Sequence, residues 1–318
     1  MRNWILGVDG GGTKTNVAAY DAETGSLGAR GTAGGINVYF DGPERAAENL
    51  KAAIESLSLA PEDRILGLGI GDPALDDSVP EAGRQLREWG AALLPEGALC
   101  VSGSDVLMAL YAFAGGKPGA LVVAGTGSMG VALREPYRHG GQNTLLTVGG
   151  WGQPTTDPGS GNDIGTRGIC AALDAFDGTG PETALCGAVL AFFGAEQPRE
   201  LVDIFNGDRM RRSQIAAFSR QVAQCADAGD PVSRAILEAA GQHLGKYARS
   251  LLRQAGQALP VGAYGSVLVN NGFVRRVFAE EIQKEFPQAR VRVPAQPPEY
   301  GAALFAAHAL GIQWEEES

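Results

Sequence analysis

The sequence WILGVDGGGTKT, at residues 4–15, joins an apolar run to an acidic residue and three glycines. The apolar run predicts a buried strand, and the glycines predict a tight turn after it. An apolar pattern resumes at Asn16–Tyr20 and predicts a strand that returns beside the first. Because glycine lets a ligand approach the backbone closely, such a turn can aim several N–H groups at one phosphate.

A second unit of this kind lies at residues 120–133, where ALVVA enters GTGS and an apolar pattern resumes. Residues 125–130 also spell G-x-G-x-x-G, but the dinucleotide fingerprint needs a helix after it. Glu135 and Pro136 cut the segment short, so we predict a returning strand and reject a Rossmann site. Neither turn has P-loop spacing. Either turn alone is most simply interpreted as an ordinary hairpin turn. Two such turns in one chain predict that both bind the same polyphosphate.

Strand and helix patterns alternate up to Phe113, and helical patterns dominate after Gly161. With 318 residues, of which 44% are hydrophobic and 19% charged, the chain can form two domains, each with a core. The pattern predicts an α/β fold with a boundary near Gly116–Gly119, where glycine and proline concentrate.

The charge and the apolar pattern argue against nucleic-acid and membrane partners. A formal net charge of −10 disfavours contact with a phosphate backbone or an anionic lipid surface. No apolar run approaches the ~18 residues that cross a bilayer. The chain enters its first strand without a secretion leader, so we expect a cytoplasmic location.

The cysteines and histidines predict neither a disulfide framework nor a metal cluster. The four cysteines are far apart without CxxC spacing, and the three histidines are scattered. We expect these side chains to be ordinary core or surface residues.

Ordered motifs resemble the BadF/BadG/BcrA/BcrD-type ATPase family, which includes the N-acetylglucosamine kinases. GVDGGGTKT at residues 7–15 resembles its first phosphate motif, and AGTGS at 124–128 resembles its second. GGWG at 149–152, with DPGS at 157–160, resembles its GGWG…GDEGS segment. Two further matches are GSV at 265–267, similar to a nucleotide-contacting motif, and YGAA at 300–303, similar to the closing helix.

The resemblance implies two ribonuclease-H-like lobes of the actin and hexokinase type, with mixed sheets flanked by helices and an interlobe cleft. It implies ATP held between the two glycine turns, and Mg²⁺ bound largely through the phosphates. We expect an N-terminal lobe at residues 1–117, a C-terminal lobe at 118–296, and a terminal helix within 297–318 that packs back on the first lobe. A homodimer is the expected assembly.

Phosphoryl transfer requires a group that takes the proton of the acceptor hydroxyl. Asp105 stands between a predicted strand and helix, and it matches the family's acidic residue that activates the sugar 6-hydroxyl. Its alternative role is to offset the helix dipole. Asp9 follows the first strand and is the predicted Mg²⁺ residue, with a plain turn aspartate as the alternative. The resemblance assigns ATP contacts to Gly11, Gly12, Thr13, Lys14, Gly125, Thr126, Gly127, Ser128, Gly265 and Ser266.

A sugar ring needs hydrogen-bonding groups and a flat apolar surface. The resemblance places Asn37 and Trp151 in such roles, although a tryptophan between glycines is equally often core. The chain departs from the family at residues 71–74, GDPA, and at Pro158, where the family has glutamate. The identity of the sugar therefore stays open. The full predicted sugar set is Asn37, Gly71, Asp72, Trp151, Gly152, Asp157 and Ser160.

The sequence therefore predicts an ATP- and Mg²⁺-dependent kinase acting on the 6-hydroxyl of an amino sugar, first N-acetylglucosamine, with glucosamine or N-acetylmuramic acid as alternatives. A dehydratase activator would need an iron–sulfur cluster, but no cysteine flanks residues 125–128. A sugar-responsive repressor would need a DNA-binding module, for which residues 1–3 leave no room. A catalytically silent sugar-binding regulator fits the same motifs.

Overall fold

The computed structural model describes most of the chain and divides it into two compact units. Unit 1 comprises Met1–Gly119, Leu133–Thr144 and Pro294–Ser318, and unit 2 comprises Ala120–Ala132 and Leu145–Val293. The described residues are 1–38, 42–73, 80–152, 157–207 and 212–314.

Strands and helices within these ranges are numbered in chain order. The strands are β1 Asn3–Asp9, β2 Thr15–Asp21, β3 Leu27–Ala33, β4 Arg64–Gly71, β5 Leu99–Gly103, β6 Gly119–Ala124, β7 Ser128–Leu133, β8 Leu145–Gly149, β9 Val261–Tyr264 and β10 Val291–Arg292. The helices are α1 Pro43–Glu55, α2 Pro80–Ala92, α3 Asp105–Ala114, α4 Gly161–Phe176, α5 Leu185–Phe193, α6 Glu200–Asn206, α7 Arg212–Asp227, α8 Pro231–Ala255, α9 Ser266–Asn270, α10 Gly272–Gln283 and α11 Pro298–Ala309.

Unit 1 is built on a five-stranded mixed sheet in the order β3-β2-β1-β4-β5. The β1 strand pairs antiparallel with β2 and parallel with β4, and β4 pairs parallel with β5. The central strands are apolar on both faces, as expected for strands covered by helices on either side. Because β1, β4 and β5 run the same way, the residues that follow them meet at one edge of the sheet.

The terminal helix α11 packs against β1, β4 and α3, and three glycines permit this close approach. A Cβ atom on Gly7 would lie 1.8 Å from the carbonyl oxygen of Glu299, and one on Gly301 would lie 1.9 Å from that of Met108. Gly69 meets Ala302 in the same manner. Only glycine, which has no side chain, allows two backbones to approach this closely. This close packing explains the glycine in the YGAA segment.

Unit 2 contains the second five-stranded sheet, in the order β10-β9-β6-β7-β8. The β6 strand pairs parallel with β9, and β9 pairs parallel with β10. Helices α4 to α10 surround a core that includes Phe218, Leu244, Leu252 and Phe278, all without solvent exposure. The segment after Gly127 is the strand β7, which confirms the predicted returning strand and excludes a Rossmann helix there.

Unit 2 lacks residues 133–144, which the sequence-based boundary had included in the second lobe. This segment belongs to unit 1 because its aromatic side chains pack there. The N–H of Tyr137 donates to the carbonyl oxygen of Gly116 at 2.8 Å. The His139 ring lies 4.6 Å from that of Phe305, and its Nε2 is 3.2 Å from the Tyr111 hydroxyl.

Within the described ranges, no helix is both long and apolar enough to cross a bilayer.

Candidate functional site

Three carboxylates lie at the edge of the unit 1 sheet where the parallel strands end. Asp9 ends β1, Asp72 follows β4, and Asp105 begins the helix after β5. The N–H of Gly10 donates to Gly71 at 2.7 Å, which joins the ends of β1 and β4. A Cβ atom on Gly10 would lie 2.9 Å from Oδ2 of Asp72, so the turn and this carboxylate are in contact.

The electrostatic environment of Asp9 is strongly unfavourable for a negative charge. Burial, followed by the nearby charges of Glu299, Asp105 and Asp72, raises the pKa of Asp9 from 3.8 to about 7. A hydrogen bond from Asn16 opposes this shift. A cation beside Asp9 would offset the repulsion, so this edge favours a metal ion.

A metal ion here would need further ligands from elsewhere. Among the residues that the structure describes, no three His, Cys, Asp or Glu side chains come together as a metal site. Mg²⁺ commonly keeps several waters and takes one or two carboxylates plus substrate phosphates. The oxygen-only chemistry of this edge therefore fits Mg²⁺ held mainly by water and a nucleotide.

Asp105 occupies the first position of α3, directly after its N-cap. The Ser104 hydroxyl accepts a hydrogen bond from the N–H of Leu107. Oδ1 of Asp105 accepts from the N–H of Val106 at 2.8 Å, which fixes the carboxylate. Burial raises the pKa of Asp105, and the bond from Val106 opposes that rise. A held carboxylate with a raised pKa is suited to accept a proton.

The remaining predicted residues of unit 1 lie around its glycine turn. Gly12, Thr13 and Lys14 are exposed, whereas Asn37 is buried. The N–H of Ile36, beside Asn37, donates to the carbonyl oxygen of Gly11 at 3.2 Å. The turn and the predicted sugar-contacting asparagine are therefore adjacent. In the departing segment 71–74, Ala74 lies outside the described residues.

In unit 2, the turn between β6 and β7 is held through its carbonyl groups. Gly127 accepts from the N–H of Gly125 at 2.9 Å, and Gly125 accepts from Gly161 at 2.8 Å. Thr126 accepts from Asn162 at 3.3 Å, so the first turn of α4 is fastened to the loop. Within the described part of the chain, the N–H groups of Thr126 and Gly127 donate to no backbone oxygen. Two such donors in one turn are suited to bind an anion.

A cavity of about 550 Å³ in unit 2 begins at this turn. Gly125 and Thr126 form one end, α7 forms one wall, and the loop and helix starts at Ser266–Phe273 form another. This volume suits a small organic ligand such as a nucleoside. Gly265 precedes that wall with φ of 85°, and a Cβ atom there would lie 2.4 Å from Ala124, so glycine is required.

Asp157 lies behind the unit 2 turn and forms an ion pair with Arg212. Burial raises the pKa of Asp157, and the guanidinium of Arg212 opposes that rise. The hydroxyl of Ser160, fully buried, accepts from the N–H of Asp163 as the N-cap of α4. Trp151 is 82% exposed, so it is not a core residue of unit 2.

The predicted site residues therefore fall into two sets. Asp9, the first glycine turn, Asn37, Gly71, Asp72 and Asp105 lie in unit 1. The second glycine turn, Trp151, Gly152, Asp157, Ser160, Gly265 and Ser266 lie in unit 2. Sequence reasoning missed Glu299, although it directly precedes the YGAA segment, and Arg212, which no local motif marks.

A family model described as the BadF/BadG/BcrA/BcrD ATPase family matches residues 6–306. The chain belongs to this family. The match begins within β1 and ends within α11, so it includes both glycine turns and the closing helix.

Two relatives and one solved structure are similar to the chain over nearly its whole length. The chain is 26% identical over 325 residues to an N-acetylmuramic acid/N-acetylglucosamine kinase of Clostridium acetobutylicum, covering 95% of this chain and 98% of the relative. It is 26% identical to an N-acetyl-D-glucosamine kinase of Dictyostelium discoideum, covering 95% and 97%. A ROK family glucokinase from Streptomyces griseus, solved with glucose and AMPPNP, shares the fold with a TM-score of 0.64 at 17% identity, covering 97% and 99%. The two-lobe α/β fold predicted from sequence is confirmed.

Proposed function

We propose that this family member is an ATP-dependent kinase that phosphorylates the 6-hydroxyl of an amino sugar, with N-acetylglucosamine as the first candidate. The observation that carries the proposal is the glycine turn after β6, whose Gly125 and Thr126 form one end of a cavity of about 550 Å³. Both relatives described above carry N-acetylglucosamine in their names, which supports this choice of acceptor.

In the proposed reaction, unit 2 binds ATP and unit 1 supplies the base. Asp105 accepts the proton of the sugar 6-hydroxyl while the oxygen of that hydroxyl forms a bond to the γ-phosphorus of ATP. The bond from that phosphorus to the bridging oxygen breaks, and ADP leaves with the electron pair. The bond from Val106 holds Asp105 for this role, and Asp105 later releases the proton to solvent.

Mg²⁺ is the proposed cofactor, and Asp9 is the residue that would hold it. When bound, the ion would neutralise phosphate charge and supply a Lewis acid. The contribution of the protein is to concentrate negative charge at Asp9 through Asp72, Asp105 and Glu299. This charge favours a cation only in the ionised form of Asp9, so metal affinity falls as pH decreases below about 7.

The proposed sugar contacts are Asn37, Gly71 and Asp72 in unit 1 and Trp151, Gly152, Asp157 and Ser160 in unit 2. Glucosamine and N-acetylmuramic acid stay as alternative acceptors, since the departures at residues 71–74 and at Pro158 bear on the sugar. We further propose a cytoplasmic homodimer, on the family resemblance, which light scattering of the purified protein would test.

The test of the function is ADP release with MgATP and a panel of N-acetylglucosamine, glucosamine, N-acetylmuramic acid and glucose. We expect turnover with at least one amino sugar and formation of its 6-phosphate. Turnover that no sugar stimulates would contradict a kinase and favour an activator, and the absence of any turnover would favour a silent regulator. Iron content of the purified protein separates those two, because only the activator binds an iron–sulfur cluster.

A further inference from the structure

The ion pair of Arg212 and Asp157 lies directly against the unit 2 glycine turn. A Cβ atom on Gly127 would be 2.9 Å from Nη2 of Arg212 and 3.0 Å from Oδ2 of Asp157. Gly127 is one of the two residues whose N–H groups form the anion site. The anion site and both charges are therefore neighbours at Gly127.

The two members of the pair differ in their access to solvent. The Asp157 side chain is 3% exposed, whereas that of Arg212 is 41% exposed. A buried carboxylate beside a phosphate site would repel the ligand unless a cation neutralised it. Arg212 provides that cation, and its side chain is still partly accessible from solvent.

Arginine is also suited to bind phosphate itself. Its guanidinium presents five N–H donors in a planar fork that matches phosphate oxygens. Only the Nη2 contact to Asp157 is made in the described part of the chain. The guanidinium can therefore exchange this one contact for an incoming phosphate.

The backbone at Arg212 is fixed to the turn independently of this ion pair. Nδ2 of Asn162 donates to the carbonyl oxygen of Arg212 at 3.2 Å. The backbone N–H of the same asparagine donates to Thr126. Arg212 thus keeps its place beside the turn even when its side chain changes partner.

We propose that Arg212 binds the terminal phosphates of the nucleotide, and that Asp157 is its counter-ion when no nucleotide is present. The inference rests on the proposed function, since it names a residue of the same nucleotide site. An incoming phosphate competes with Asp157 for the guanidinium, so the carboxylate acts against nucleotide binding.

The test is calorimetric titration of ATP and of AMP into the full chain with Mg²⁺ and without sugar. In Arg212→Gln we expect ATP affinity to fall about tenfold or more, with AMP affinity nearly unchanged, because only the terminal phosphates lose a contact. Arg212→Lys should retain part of the affinity. Arg253→Gln is the matched control, because Arg253 is also a paired arginine of unit 2, but its partner is Glu285 and only Arg212 lies beside Gly127 among the described residues.

Asp157→Asn distinguishes a counter-ion from a structural pair. If Asp157 competes with phosphate, this variant binds ATP severalfold more tightly than the wild type. If the pair merely supports the loop, Asp157→Asn and Arg212→Gln both weaken ATP and AMP alike, and the inference is overturned. Unchanged ATP affinity in a folded Arg212→Gln, with a normal melting temperature, also overturns it. A wild-type protein that binds no ATP would overturn the proposed function as well.

Discussion

The glycine turn of unit 1 lies among carboxylates, whereas the glycine turn of unit 2 lies beside an arginine and a hydrogen-bonded helix start. Asp72 contacts the first turn, and burial together with neighbouring acids keeps the pKa of Asp9 near 7. Arg212 contacts the second turn, whose carbonyl groups are all occupied. Similar sequences thus provide opposite local charge. Unit 1 is suited to a cation and a proton, and unit 2 is suited to an anion.

The largest expected effect tests the base in unit 1. Asp105→Asn should lower sugar-dependent turnover by about 10²- to 10⁴-fold, because the amide cannot take the hydroxyl proton. ATP affinity measured by calorimetry should stay near that of the wild type, since the proposed nucleotide cavity is in unit 2. Asp177→Asn, an exposed aspartate at the end of α4, is the control. Near-normal turnover in Asp105→Asn would remove Asp105 from this role.

The second prediction concerns the charge of Asp9 and its pH dependence. Burial raises the pKa of Asp9 from 3.8 to about 7, so between these pH values the folded protein holds a proton that the unfolded chain releases. Asp9 therefore lowers stability as pH rises through that window. Asp9→Asn removes this cost and should increase the free energy of unfolding at pH 8 by up to about 4 kcal/mol.

Urea unfolding of Asp9→Asn and wild type at pH 4 and pH 8 measures this effect. The difference should be small at pH 4, where the folded protein is protonated at Asp9, and largest at pH 8. Sugar-dependent turnover should be lost in the variant, because the proposed Mg²⁺ residue is gone. A variant that is less stable than wild type at pH 8 would contradict the proposed charge environment of Asp9.

The third prediction concerns the packing of α11 in unit 1. Gly301→Ala should lower the free energy of unfolding by about 1–3 kcal/mol, because its methyl group would overlap the carbonyl oxygen of Met108. Gly187→Ala, within α5 of unit 2, meets nothing within 4 Å and should stabilise the protein by about 0.5–1 kcal/mol. Equal effects of the two substitutions would show that α11 does not pack as described.

The smallest expected effect is that of Ser160→Ala, which distinguishes a helix-capping role of Ser160 from a contact with the sugar. Its hydroxyl accepts from Asp163 and caps α4, so Ser160→Ala should cost about 1 kcal/mol of stability. The KM for the sugar should not change if the cap is the whole role. An increase in KM with an unchanged melting temperature would instead support the sugar contact implied by the family resemblance.

Much of the architecture follows from local signals in the sequence. The helix α8 lies in the region after Gly161 where helical patterns dominate, and its ends carry local signals: Asp230 caps its start, Pro231 follows, and Gly256 ends it in a left-handed conformation. The strand β3 was missed because Leu27–Ala33 contains two glycines and lies exposed at a sheet edge. Such a strand is held by its pairing with β2, which no local pattern encodes.

The motifs of the site could be predicted from the sequence, but the distant residues that contact them could not. Asp9 and Asp105 were identified from the sequence because each follows a strand pattern, whereas Asp72 was identified through the family resemblance. Glu299 acts on Asp9 from a position 290 residues later, and Arg212 reaches Asp157 across 55 residues. These pairings depend on tertiary packing, as does the presence of Leu133–Thr144 in unit 1.

The docking of α11 on β1 has a consequence for how the chain folds during synthesis. The first sheet is translated early, but the helix that covers it is made only after residue 297. Unit 2 is complete once residue 293 has left the ribosome, so we expect it to fold before unit 1. Protease digestion of stalled nascent chains of increasing length would show protection of residues 145–293 before protection of the N-terminal strands.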